Sequence, residues 1–265
     1  MIRQSCHGAV WYEFSSLAKY GEVQHAVLTR LGGTSTGPMR GMNVGHLVGD
    51  RPEAVAANHQ RIFMALGVAA TQVVTAWQVH GAHVALVGPA DSGSILSATD
   101  GLVTTDAGVV LMLRFADCLP LMLYDPVRHA VALVHVGWRG IVAEVVHSAV
   151  SLLQSGCRSE PKDLVAGLGP AIGVCCYEVG SDMKRTVERA LGTASDLFVE
   201  PAPGRLHFDL PRAVRWQLEQ HGITQIEESR ICTACHAEEF FSHRGDRGST
   251  GRFAALLGLR RRRVG

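Results

Sequence analysis

Lysine is scarce in this 265-residue chain: only Lys19, Lys162 and Lys184 stand among its 25 basic residues. The others are arginines, whose planar guanidinium groups suit two-pronged contacts with anions. An excess of either charge is missing as well. With 25 Lys+Arg against 24 Asp+Glu the formal charge is +1, which excludes a generally basic nucleic-acid coat and an acidic solvating tail. Seven cysteines are too few at this length for a disulfide-stapled scaffold, and an odd number cannot pair completely. Met1 to His7 lacks the charged start and apolar run of a secretory signal. Residues 62–90 carry no charge, but Thr71, Gln72, Thr75, Gln78, His80 and His83 interrupt them, with Gly67 and Gly81 as punctuation. A membrane-spanning helix needs about 20 predominantly apolar residues. The expectation is a soluble, cytoplasmic protein in a reducing compartment, with no nucleic-acid or membrane partner. Fixed-period repeats, linkers and low-complexity stretches are also missing, apart from arginines 260–263, which read as a solvated tail. One domain over 1–265 follows.

What the chain does have is material for a core, at 47% hydrophobic residues, enough to exclude intrinsic disorder. Short strands are expected at 9–14 and 24–29, followed by a glycine-rich loop around Arg30 and Asn43. Pro52 and Glu53 open a helix that runs to Leu66 and stops at Gly67. The middle third reads as strands at 73–79, 84–87, 101–104, 109–115, 121–124 and 130–135. Several are continuous apolar runs, as in strands covered on both faces. A helical period takes over at 140–153. Strands at 164–168, 225–232 and 253–259 and helices at 183–191 and 213–221 complete the reading. Strands outnumber helices and are often joined by few residues. The fold class is therefore α+β, a single-domain layered α/β sandwich with mixed β-sheets.

Three polar groups end apolar strands beside turn-forming residues: His80, Cys118 and His135. A rigid sheet presents side chains to a cleft from such positions. Two imidazoles and a thiolate are a good ligand set for zinc, with copper possible. Their wide spacing does not fit a small structural finger, whereas three protein ligands plus a water is the arrangement of catalytic zinc. A lone His or Cys at a strand end is, however, usually a satisfied interior residue. Cys232-Thr-Ala-Cys-His-Ala-Glu238 holds a C-x-x-C and an H-x-E, yet in reversed order and without the proline of the zinc nucleobase deaminases. No metal site is expected there. Cys175-Cys176 reads as packing, because adjacent side chains diverge.

An ordered series of motifs carries a resemblance over nearly the whole chain. It begins with Thr29-Arg-Leu-Gly-Gly-Thr-Ser35 and Met42-Asn-Val-Gly45, and continues with Trp77-Gln-Val-His-Gly81, Ala116-Asp-Cys-Leu-Pro120 and Val134-His-Val-Gly-Trp-Arg-Gly140. Gly167-Leu-Gly-Pro-Ala-Ile-Gly173, Cys176-Tyr-Glu-Val-Gly180, Cys232-Thr233, Phe240-Phe-Ser-His-Arg244 and Thr250-Gly-Arg252 follow. In these the chain resembles the YfiH family, also called laccase-domain or polyphenol-oxidase-like proteins. The resemblance implies a fold related to bacterial toxin deamidases and a metal at His80, Cys118 and His135. It implies phosphorolysis of adenosine, inosine and S-methyl-5'-thioadenosine, and hydrolytic deamination of adenosine. Phe115, and Gly245 after Ser-His-Arg, depart from the family pattern and bear on substrate shape or affinity.

Within that frame, Asp117 is a candidate proton shuttle or a hydrogen-bond partner for a histidine ligand. Arg139 is a second candidate catalytic group. Arg30, Arg139, Arg244 and Arg252 are candidate phosphate contacts, and Asn43 is either a substrate contact or a turn-former. Neither Gly32-Gly33 nor Gly167-Leu-Gly matches a nucleotide fingerprint. The rival reading is a hydrolase using zinc or a Cys118 nucleophile activated by His135 or His80; the resemblance implies for it the removal of L-Ser from a UDP-MurNAc peptidoglycan precursor. A multicopper oxidase is disfavoured, since one His/Cys/His set cannot supply several histidine pairs. The partners expected are purine nucleosides and phosphate, with the oligomeric state open.

Overall fold

The computed structural model describes residues 1–192 and 194–260, so arginines 261–263 lie outside the described residues. A seven-stranded sheet runs, in spatial order, Ile2–Cys6, Ala9–Glu13, Val23–Leu28, Phe253–Leu259, Val110–Phe115, Val73–Ala76 and Ile95–Leu96. A six-stranded sheet runs Gln225–Glu228, Val165–Leu168, Leu119–Asp125, Ala130–Val136, Gly101–Thr104 and Val84–Leu86. Both are mixed: Val73–Ala76 pairs parallel with Val110–Phe115, which pairs antiparallel with Phe253–Leu259.

Alternation along the strands explains the layers. Met122, Tyr124, Val131 and Leu133 of the six-stranded sheet pack with Leu111, Leu113, Phe253, Ala255 and Leu257 of the seven-stranded sheet. Their neighbours Leu121, Leu123, Ala132 and Val134 point the other way, onto Val145, Ala149 and Leu153 of the Val145–Cys157 helix and Val214 of the Leu210–Gln220 helix. The far face of the seven-stranded sheet, including Leu28, Met112 and Leu256, takes Ile62 of the Pro52–Leu66 helix. The order is helix, sheet, sheet, helices. Central strands are therefore covered on both faces, which is why they read as unbroken apolar runs.

The Pro52–Leu66 helix has its expected limits, with Gly67 in the left-handed conformation as its stop. The single helix expected over 140–153 is instead two, Trp138–Val142 and Val145–Cys157. Glu144, at φ +63°, breaks the run between them. The strand expected over 73–79 ends at Ala76, and that expected over 225–232 ends at Glu228. A small sheet of Glu178–Val179, Arg205–Phe208 and Phe198–Ala202 has no counterpart in the expected elements. No described helix is long and apolar enough to cross a membrane.

Candidate active site

Three connections cross from the seven-stranded to the six-stranded sheet: 77–83, after Val73–Ala76, 97–100, after Ile95–Leu96, and 116–118, after Val110–Phe115. His80 lies on the first, Asp100 on the second and Cys118 on the third. His135 comes from the sheet itself. In the antiparallel pair of Leu119–Asp125 with Ala130–Val136, His135 faces Pro120 and Val136 faces Leu119. This register sets Cys118 against the end of the strand that carries His135. One donor atom each from His80, Cys118 and His135 gathers within 4.8 Å of the others. His80 is exposed, Cys118 half-buried and His135 buried. A Cβ on Gly137 would stand 2.9 Å from Cys118 Sγ and 3.4 Å from His80 Cδ2, so a glycine is needed there for the three to meet.

Asp100 organises the cluster. Its fully buried carboxylate accepts the amides of Val79, His80 and Gly81 at 3.1, 2.9 and 2.8 Å and His135 Nδ1 at 2.9 Å. These donors hold Asp100 ionised below the usual carboxylate range, although burial works against its charge. The same amide contacts hold His80 in its left-handed conformation, at φ +62°. With Nδ1 committed to Asp100, His135 turns Nε2 toward Cys118, as a metal-binding imidazole oriented by a carboxylate does. Burial opposes ionisation of Cys118, but the charge and hydrogen bond of His135, then those of His80, bring its thiol down to about 6. For His135, burial favours the neutral ring, and the Cys118 thiolate and Asp100 outweigh it, raising the ring to about 9. A thiolate, two imidazoles and an oriented ring nitrogen fit a borderline metal such as zinc.

The cluster opens into a cleft of about 550 Å³, of a size for a nucleoside-scale ligand. Arg114, Arg139, Arg244 and Arg252 line it, with the aromatic residues Trp77, Trp138 and Tyr177. Among the described residues no carboxylate pairs with any of these four arginines. Arg114 and Arg252 are drawn below the usual guanidinium range by burial, and Arg114 further by the charge of Arg252. Such cations are poised for an anion.

The residues singled out from sequence separate into two sets. Arg139 and Arg244 line the cleft, their guanidinium carbons 4.6 Å over the Trp138 ring and 5.2 Å over the Tyr177 ring. Arg30 does not line it. Its guanidinium donates to the Arg40 and Ala237 carbonyls and stacks 4.3 Å over Phe241, bracing a loop. Asn43 is fully buried and likewise outside the lining: its Oδ1 accepts the amides of Gly45 and Arg252 at 2.9 and 2.8 Å. Asp117 lines the cleft at φ +86°, with one oxygen accepting Thr233 and Ser242 hydroxyls and the other the Arg244 amide. It bonds to neither His80 nor His135; Asp100 holds that place. Phe115 is buried against the rings of His135 and Phe253, at 5.5 and 5.9 Å, behind the cleft.

Asp100 and Arg114 were not anticipated. Arg114 left a signal, a lone charge in the apolar run Val109-Val-Leu-Met-Leu-Arg-Phe115. Asp100 left only an acid ahead of a strand. The structure also corrects the reading of the remaining cysteines. Cys175, Cys176, Cys232 and Cys235 converge, their four sulfurs within 4.8 Å of one another.

Comparisons with known proteins agree with this architecture. The family model described as multi-copper polyphenol oxidoreductase laccase matches residues 24–260. A Geobacillus stearothermophilus protein named purine nucleoside phosphorylase YlmD is 38% identical over 242 residues, 88% of each chain. The crystal structure of YlmD from that organism matches with a TM-score of 0.91 at 35% identity, covering 97% of this chain and 98% of that one. A Bacillus licheniformis hypothetical protein YfiH matches with a TM-score of 0.90 at 32% identity, covering 97% and 99%.

Proposed function

The chain belongs to the multi-copper polyphenol oxidoreductase laccase family, and from that premise we propose that it is a zinc-dependent purine nucleoside phosphorylase that also deaminates adenosine. The observation that carries the reading is one cleft holding both the His80/Cys118/His135 cluster and four arginines without carboxylate partners among the described residues. The relatives named purine nucleoside phosphorylase support it. The substrates proposed are adenosine, inosine and S-methyl-5'-thioadenosine, with phosphate.

Phosphorolysis needs an anion held at the ribose and a base held by its faces. In this reading Arg114 and Arg252 bind phosphate, with Arg139 and Arg244 at the rim of the same site. Trp77, Trp138 and Tyr177 offer apolar faces to the purine. The nucleophilic phosphate oxygen forms a bond to the anomeric carbon as the glycosidic bond breaks; the purine leaves with the electron pair and takes one proton from hydrogen phosphate or solvent, giving ribose 1-phosphate and the neutral free base. His80, Cys118 and His135 would hold zinc. A bound zinc ion supplies Lewis acidity, which eases ionisation of water and polarises an atom brought against it. Asp117 positions rather than reacts, since both its oxygens already hold the wall that carries Arg244.

One observation favours a second reading. Cys118, His135 and Asp100 form a thiol–imidazole–carboxylate series, which suits a cysteine hydrolase acting on an amide such as the UDP-MurNAc precursor. Incubation with adenosine, with and without phosphate, separates the two. Ribose 1-phosphate with adenine marks phosphorolysis and inosine marks deamination. Turnover of neither, with amide hydrolysis by the metal-free protein, would sink the zinc nucleoside reading.

A further inference from the structure

The four cysteines away from the cleft come from two turns distant in sequence. Cys175 and Cys176 lie in a turn where the amides of Cys176 and Tyr177 both donate to Gly173 O at 3.0 Å. Cys232 and Cys235 lie in another, where His236 N donates to Cys232 O at 3.1 Å. This geometry explains why neighbours in sequence reach one point. In an extended strand adjacent side chains face opposite ways. In a helical turn they differ by about 100°, and residues three apart share a face. Cys175 and Cys176 thus both approach Cys235, with Sγ–Sγ distances of 3.6 and 3.4 Å.

These separations select the occupant. Four sulfurs about 2.3 Å from a tetrahedral zinc stand about 3.8 Å apart. An iron–sulfur cluster must fit its own iron and sulfide atoms among the thiolates and holds them further apart. Tetrahedral sulfur sites select zinc or iron–sulfur, and the close packing fits a single ion such as zinc rather than a multi-iron cluster. Two further features prepare the site. Gly173 N donates to Cys232 Sγ at 3.2 Å, a bond that favours the thiolate. A Cβ on Gly173 would meet Cys232 Cβ at 3.1 Å and Cys175 Sγ at 3.2 Å, so glycine permits the two turns to close.

We propose that Cys175, Cys176, Cys232 and Cys235 form a structural zinc site, separate from the cleft, that joins the turns at 173–177 and 232–236. Zinc binding displaces the remaining thiol protons to solvent and leaves a closed four-sulfur shell with no position for substrate. Its effect reaches the cleft through the same turns. Ile172 and Tyr177 line the cleft, Ile172 N donates to Asp117 O at 2.9 Å, and Thr233 Oγ1 donates to Asp117 Oδ1 at 2.7 Å. The site braces the wall that faces the reacting groups.

The test is metal analysis of the full chain. A variant with His80, Cys118 and His135 all replaced by alanine cannot bind metal in the cleft and retains one zinc per chain, which adding Cys232→Ser and Cys235→Ser removes. Cobalt in place of zinc gives that triple variant the intense sulfur-to-metal charge-transfer bands of a four-thiolate site. Should the variants fold poorly, the wild-type protein decides: a mercurial titrated against the zinc-loaded chain releases one zinc as these four thiols react, identified by peptide mapping. A folded triple variant without zinc, or rapid alkylation of all four cysteines in zinc-loaded protein, overturns the proposal. A disulfide between Cys176 and Cys235 in freshly isolated protein does so too, and assigns the cluster to redox chemistry. Zinc at the cysteines with none in the cleft would leave this site standing while removing the zinc assignment of the cleft.

Discussion

Asp100 receives both the ring Nδ1 and the backbone amide of His135, the first on its carboxylate at 2.9 Å and the second on its carbonyl at 2.7 Å. Through the amides of 79–81 the same carboxylate also fixes the turn that carries His80. One buried acid therefore orients two of the three proposed metal ligands.

Asp100→Asn keeps the size and removes the charge. It leaves one of the donors without its acceptor and makes His135 a poorer base. Zinc affinity in the cleft is expected to fall about 10–100-fold, as for other residues that support a metal-binding histidine. Competition with a chromophoric chelator measures it, and an unchanged affinity would show that His135 needs no such support.

Gly137→Ala tests the crowding at the cluster. The new Cβ would press on Cys118 Sγ at 2.9 Å, while the backbone there, at φ −104°, accepts alanine without strain. Zinc binding in the cleft weakens, and the overpacking lowers the stability of the metal-free protein by about 1–3 kcal/mol. A large fall in melting temperature at constant zinc affinity would contradict this.

The metal-free protein should show a pH window. Cys118 is depressed to about 6, so the stability its thiolate contributes is present above the ordinary thiol range and is lost as pH falls through about 6. His135 is raised to about 9, so its contribution is full below the ordinary histidine range and is lost as pH rises through about 9. Between those values the thiolate–imidazolium pair is intact. The rate of Cys118 alkylation, followed by peptide mass spectrometry, rises through about pH 6. A rise only near the ordinary thiol range would refute the pairing.

Arginines inside and outside the cleft should behave differently. Arg114→Gln and Arg252→Gln each remove a charge-assisted contact, raising the phosphate KM by roughly 10–100-fold. Arg30→Gln leaves that KM unchanged and lowers stability by about 1–3 kcal/mol, through loss of its carbonyl bonds to Arg40 and Ala237. Phosphate kinetics and thermal melts on the three variants decide, and an Arg30 effect on KM without a stability loss would reverse the assignment.

Read along the chain, the residues already specified much of this. The Pro52–Leu66 helix carries its start and stop in Pro52 and Gly67, and the central strands announce burial on both faces by continuous apolar runs. His80, Cys118 and His135 stood out because each ends such a run. These features are local: periodicity and capping are set by residues within a turn or two of one another. The rest depended on register and on crossings between sheets. The pairing of Val136 with Leu119 brings Cys118 to His135, and Asp100 reaches both histidine segments because His135 N bonds to its carbonyl. Arg30 and Arg252 look equivalent in sequence, yet one braces a loop and the other lines the cleft. The two cysteine pairs meet because each lies in a helical turn, where neighbours and residues three apart share a side, and distance along the chain holds no record of that convergence.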